Sequence, residues 1–240
     1  MALVSTKAIV LNAIKYSDSS LIVKCFTEKD GLKTYLIRGV LKSKKGALRA
    51  AYFQPLTQLQ IIANHNNKGN LNSIKEVQVA HQYTHIYTDV IKQTIVLFLS
   101  EVLSNCIKEE EENNTLYQYL EAAFIWLDTH SSISNFHLLF LVNLSRFLGF
   151  YPDISEKHKN NFNLLEGRFT DQIHQKEIIS NNKLTLFKRL LGIHFDAIEN
   201  VSFNKKERQV VLQIILQYFG LHLVGFKQPK SLPILETIFN

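Results

Sequence analysis

The sequence predicts an α+β protein, with a small β-barrel over residues 1–80 and a mainly α-helical domain over residues 81–240. Three observations carry this expectation. Short β-branched runs separated by turn signals fill the first third of the chain. From about residue 82 the apolar residues recur at helical spacing instead. The charge balance changes at the same place.

The strands come first. Ala8-Ile9-Val10-Leu11 is a short apolar run. Leu21–Phe26 is rich in β-branched residues and follows the polar stretch Ser17–Ser20. Asp30-Gly31 is a hairpin turn signal, and Lys33–Val40 follows it. Leu56–Ile62 alternates in part, as a half-buried strand does. Asn64–Asn72 reads as a polar turn, and Leu71–Val79 supplies a fifth strand. Five short strands in under 80 residues are buried most economically as a closed or nearly closed barrel. Leu41–Ala51 suits no strand, and its Lys42–Lys45 portion reads as a mobile basic loop leading to Tyr52 and Phe53.

The helices follow. Ile86, Val90, Ile91, Ile95, Phe98, Leu99, Val102 and Leu103 share one helical stripe, ended by the acidic run Glu109–Glu112. Asn114 or Thr115 caps a second helix carrying Leu116, Leu120, Phe124 and Leu127. Ser134 caps a third, which Gly149 and Pro152 stop. Residues 153–175 are polar and irregular, with a small hairpin around Glu166-Gly167. Helix resumes at Leu184–Leu191. Asn204 and Glu207 have capping-box spacing ahead of Val210–Phe219, and Ser231–Phe239 forms a last short helix.

Charge is distributed unevenly. Residues 1–80 hold 12 Lys/Arg and 4 Asp/Glu, a net of +8, and the remainder holds 15 and 17, a net of −2. Between Asp30 and Glu76 no carboxylate occurs, while Lys33, Arg38, Lys42, Lys44, Lys45, Arg49, Lys68 and Lys75 all lie there. A field of one sign attracts polyanions and raises their encounter rate. Tyr35, Tyr52 and Phe53 are interleaved with these cations. Cations plus aromatic platforms are what a single strand of nucleic acid needs, although Tyr35 and Phe53 also suit a barrel core.

Enzymatic motifs are scarce. Gly39 and Gly46 are separated by six residues and Lys45 precedes the second glycine, which fails the phosphate-loop spacing. No nucleophile elbow occurs. His81 and His85 could share a helix face, but Gln82 stands where a zinc protease needs Glu. His158 and His174 have no cysteine companions. A nuclease would need clustered carboxylates for Mg²⁺, which the basic third does not offer. We therefore expect no catalytic residues, no metal and no cofactor. The longest apolar runs, Ile95–Leu99 and Leu138–Val142, fall far below the roughly 20 residues that span a membrane. Cys25 and Cys106 form no spaced motif. One disulfide is possible, but two thiols in a reducing cytoplasm are the expectation.

The stretch AIVLNAIKYSDSSLIVKCFTEKDGLKTYLIRGVLKSKK resembles the start of the RecO family of bacterial recombination mediators, and YFQPLTQLQI continues it. SRFLGFYPD and LHLVGFKQPKSLPIL resemble later signatures of that family. The resemblance implies an OB-fold barrel followed by a helical domain. It implies binding of single- and double-stranded DNA, strand annealing, and loading of recombinase onto DNA coated by the single-stranded-DNA-binding protein. It also implies two protein partners: the acidic C-terminal tail of that coating protein, and RecR. Many members carry a four-cysteine zinc site after the segment matching SRFLGFYPD. Residues 153–175 here have no cysteine, so metal is not expected.

On this reading Lys33, Tyr35, Arg38, Lys42, Lys44, Lys45, Arg49 and Tyr52 contact DNA, while Arg146, Lys227 and Lys230 hold the acidic tail. The competing reading is an interaction adaptor whose basic barrel docks onto an acidic protein.

Overall fold

The computed structural model describes residues 2–42, 48–66, 71–173 and 176–239. The chain divides into two compact units: Met1–Thr129 with Pro229–Ser231, and His130–Gln228 with Leu232–Asn240.

The first unit is built on five antiparallel strands: β1 (Ala2–Lys15), β2 (Leu21–Thr27), β3 (Gly31–Ile37), β4 (Gln58–His65) and β5 (Ser73–His81). Their order is β3-β2-β1-β4-β5. β1 serves two neighbours. Its first half pairs with β4 (Ala2 opposite His65, Ile9 opposite Gln58) and its second with β2 (Ala8 opposite Thr27, Lys15 opposite Leu21). A register shift between Val10 and Asn12 bends the strand between these roles, as a bulge does. The run Ala8–Leu11 is apolar throughout because the strand is covered on both faces there.

The sheet curls around Val10, Val23, Cys25, Tyr35, Ile37, Phe53, Leu59 and Ile61. Each side chain of this size adds roughly 1.5–3 kcal/mol when removed from water. The barrel is less closed than expected. Among the described residues no ladder joins β3 to β5. A single parallel bridge links Tyr35 to Asn72, with Leu36 N–H donating to the Asn72 carbonyl at 3.0 Å. Asn72 ties this seam further, its amide donating to the Thr34 carbonyl and its Oδ1 accepting from Asn66 N–H. The expected turn at Asp30-Gly31 forms, with Gly31 at φ +61°. A Cβ at Gly31 would also collide with the Glu111 carbonyl, so only glycine fits.

Two helices complete this unit: α1 (Val90–Cys106) and α2 (Asn114–Thr129). The helix starts at Val90, four residues after Ile86, the first residue of the predicted stripe. Asp128 accepts from the N–H groups of Thr84, His85 and Ile86, each at 2.8 Å. Those residues are held in a turn, and Asp89 caps α1 instead. The cap of α2 is Asn113, whose Oδ1 accepts from Leu116 N–H at 3.0 Å, rather than Asn114 or Thr115. His81 ends β5 and His85 lies in the turn, so they share no helix face.

The second unit contains α3 (Phe136–Phe147), strands β6 (Asn161–Asn163), β7 (Arg168–Thr170) and β8 (Ile178–Ser180), then α4 (Asn181–Lys188), α5 (Lys205–His222) and α6 (Leu232–Ile238). α3 is apolar nearly all round and almost wholly buried. Asn135, not Ser134, precedes it; the Asn135 side chain donates to the Val201 carbonyl and caps nothing. The hairpin predicted at Glu166-Gly167 forms, and β8 adds a third strand in the order β7-β6-β8. Its interior is aromatic: Phe162 lies 4.9 Å from Phe169 and 5.4 Å from Phe187, ring centre to ring centre. A four-cysteine metal site does not fit residues that pack this way and carry no thiol. The capping box of Asn204 and Glu207 opens α5 as expected.

Candidate nucleic-acid interface

The basic residues of the first unit differ in what holds them. Lys7, Lys24 and Lys33 are engaged internally, whereas Lys15 makes a surface pair with Asp18 and Lys29 is exposed. Lys7 Nζ lies 2.9 Å from Glu121. Lys24 donates to the Ser104 carbonyl at 3.2 Å, and burial together with nearby Lys108 lowers its pKa. Lys33 has inward parity on β3, is 4% exposed, and lies 3.0 Å from Glu110. The acidic run that follows α1 is exposed, and its backbone lies along β3, with Leu32 N–H donating to the Glu109 carbonyl at 3.0 Å. Lys33 is thus corrected from a DNA contact to a structural cation. A phosphate would have to displace Glu110 to reach it.

Tyr35 is corrected as well. It is fully buried in the barrel core. Its hydroxyl lies 2.7 Å from His65 Nε2, and His65 Nδ1 lies 2.7 Å from Asp30. With Nδ1 donating to the carboxylate, Nε2 accepts from the phenol, and this chain locks β3 against β4. No face of Tyr35 is left for a base. Phe53 is core too.

Three cations that follow β3 are disposed differently. Arg38, Lys42 and Arg49 are exposed, and none makes an ion pair among the described residues. Gly39, at φ +72°, turns the chain out of β3, and Leu41 N–H donates to the Ser19 carbonyl at 3.1 Å. This fixes the base from which Lys42 projects. Lys44, Lys45 and the rest of the expected basic loop lie outside the described residues. Arg49 precedes a 3-10 turn, Ala50–Phe53, and the Arg49 carbonyl accepts from Tyr52 N–H at 3.0 Å. Tyr52 is half-buried, one side on the barrel core and the other on an open groove.

That groove has a volume of about 600 Å³ and brings Arg49 and Tyr52 beside Gln54, Gln78, His81 and Gln82. Its floor is Tyr83 and Tyr87. Tyr83 donates to the Leu56 carbonyl at 3.1 Å, and the Tyr87 hydroxyl lies 2.7 Å from Thr57 Oγ1 and 3.0 Å from the Pro55 carbonyl. Gln78, His81 and Gln82 are not legible as site residues in the sequence. They are about 30 positions from Arg49, and only the pairing of β4 with β5 carries them there.

Of the expected tail-binding residues, Arg146 and Lys227 belong to the second unit and Lys230 to the first. Arg146 is exposed in the last turn of α3, its guanidinium 4.4 Å from the centre of the Tyr151 ring. Lys227 and Lys230 are exposed beyond α5. No group of three or more His, Cys, Asp or Glu among the described residues could hold a metal ion. None of the helices among them is long and apolar enough to cross a membrane.

Comparison with known proteins agrees with this architecture. Residues 1–83 match the family described as Recombination protein O N terminal, and residues 87–233 match Recombination protein O C terminal. The chain is 47% identical over 237 residues to the DNA repair protein RecO of Flavobacterium psychrophilum, covering 99% of each chain. It is 46% identical to that of Christiangramia forsetii, covering 99% of this chain and 100% of that one. It is 38% identical to that of Bacteroides fragilis over 98% of each. Matched in both halves and along its whole length, the chain belongs to the RecO family of DNA repair proteins.

Proposed function

We propose that this protein binds DNA through the cations that follow β3, and uses that binding to anneal strands and to help load recombinase onto coated single-stranded DNA. The observation that carries the reading is that Arg38, Lys42 and Arg49 are exposed, without ion pairs among the described residues, in a stretch of chain free of carboxylates. Membership of a DNA repair family supports DNA as the polyanion.

The mechanism is electrostatic. Neutralised phosphates release condensed counterions, so affinity falls steeply with salt. Two strands held against one cationic surface repel each other less than two free strands, which lowers the barrier to pairing. Lys44 and Lys45 are further cations assigned to phosphate by their charge and position in the sequence. The coating protein's acidic tail is held by Arg146, Lys227 and Lys230, and RecR is the second protein partner. The reading assigns no catalytic step to any residue and places the protein beside DNA in the cytoplasm.

The test is oligonucleotide binding by the full chain across a salt series, with and without the coating protein. We expect a linear fall of log affinity with log salt, and binding to coated strands that weakens when the tail is removed. Negligible affinity for oligonucleotides at low salt overturns the reading in favour of an adaptor for an acidic protein. Metal-dependent cleavage of DNA by pure protein overturns the non-enzymatic assignment.

A further inference from the structure

We infer that the groove between the 3-10 turn Ala50–Phe53 and the end of β5 receives an unstacked base of a single DNA strand, with Arg49 on the adjoining phosphate. The inference rests on the DNA-binding reading above and names a place and a ligand group within it.

Four features of the groove point to a nucleobase. First, its volume of about 600 Å³ falls inside the range of roughly 300–1,000 Å³ typical of small-ligand sites. Second, its charge has one sign: Arg49 lines it, and none of the lining residues is Asp or Glu. An acidic wall, as around Lys33, would repel a phosphate. Third, Gln54, Gln78 and Gln82 are exposed, and their side-chain amides make no hydrogen bond among the described residues. An amide offers both a donor and an acceptor, which matches the mixed edge of a base. Fourth, the half-buried rings of Tyr52 and His81 line the groove, and His81 is held edge-on by Tyr83 at 5.2 Å between ring centres. A ring fixed from behind is a stacking platform that loses little freedom on binding.

The floor is preformed. Tyr83 and Tyr87 spend their hydroxyls on backbone carbonyls and on Thr57, so they contribute walls and not competing polar atoms. The groove therefore adds a base-dependent term to an attraction that is otherwise blind to bases. It makes a single strand, whose bases can leave the stack, a better ligand than the phosphate backbone alone.

The test compares an oligothymidylate with the same strand carrying abasic sites, bound by the full chain and followed by fluorescence anisotropy. We expect the thymidylate to bind about ten-fold tighter, as one stacked base provides. Tyr52→Leu, which keeps contact with the core, and His81→Ala, at a half-exposed position, should each cut that preference to about two-fold or less. The salt slope should stay as in the unaltered protein, because neither side chain neutralises a phosphate. Equal binding of both strands with a steep salt slope overturns the base site and leaves the phosphate reading standing. A preference that survives both substitutions also overturns it. Failure of both strands to bind at low salt removes the DNA reading, and the groove assignment with it.

Discussion

The Lys33 ammonium lies 3.0 Å from the Glu110 carboxylate, and this pair sets Lys33 apart from the exposed Arg38, Lys42 and Arg49. Lys33 is almost wholly buried while Glu110 is 63% exposed, so the pair is neither a surface contact nor a dry one. We expect Lys33→Met to change stability by less than about 1 kcal/mol, because an apolar chain of similar length fills the same space. Glu110→Ala strands the ammonium and should cost about 1–2 kcal/mol. Urea denaturation checks both. Lys33→Met should also leave the salt slope of DNA binding unaltered, whereas Arg38→Ala or Arg49→Ala should each flatten it by about 0.7 for a single strand.

The lysine-rich stretch that follows Lys42 in the sequence is tested in the same way. Replacing Lys42, Lys44 and Lys45 by Ala should weaken DNA binding and flatten the salt slope by about two to three units. An unchanged slope removes these three lysines from the phosphate contacts.

Asp128 holds the chain between β5 and α1. It is buried, and accepts from the backbone of Thr84, His85 and Ile86. Asp128→Ala leaves three donors unmatched and should cost about 3 kcal/mol by urea denaturation. Burial pushes its pKa up, but those three N–H groups and Lys92 outweigh burial and hold it below the usual aspartate value. A carboxylate with a depressed folded pKa contributes stability in full above its unfolded value, near pH 4, and loses it as pH falls. Thermal melts of Asp128→Asn should therefore show a shallower acid decline than the unaltered protein.

His137 titrates in the same direction for a different reason. Burial on α3, with the Arg208 charge nearby, pushes its pKa down to about 3. The unfolded imidazole takes a proton near pH 6.5, and the folded one does not until about pH 3. Stability contributed by the neutral ring is thus complete above pH 6.5 and declines as pH falls between those values. His137→Leu should remove this part of the decline while tolerating neutral pH, as seen in urea midpoints at pH 7 and pH 5.

The two thiols should be silent in the folded protein. Cys25 and Cys106 are free and buried. Burial raises both, Cys106 to about 12 despite the opposing Lys108 charge. The thiolate is the reactive species. A thiol reagent at pH 8 should titrate neither cysteine in native protein and both after denaturation.

The order of elements was legible in the sequence because it depends on local chemistry. Strand runs bounded by Ser17–Ser20 and Asp30-Gly31, the helical spacing of Ile95, Phe98, Leu99 and Val102, and the Asn204–Glu207 box each encode their structure within a few residues. The helix starts were less legible, since Asp128 decides the first of them from about 40 positions away.

The sequence by itself determined a basic barrel followed by helices, because turn signals, apolar period and charge balance are properties of neighbouring residues. Only the tertiary structure decided which cations remain available. Lys33 and Glu110 are 77 positions apart, and no local pattern pairs them. The same holds for the groove, where strand pairing sets Gln78 and His81 beside Arg49 and Tyr52. Burial and ion pairing depend on what the folded chain brings near a side chain, and sequence distance does not measure that.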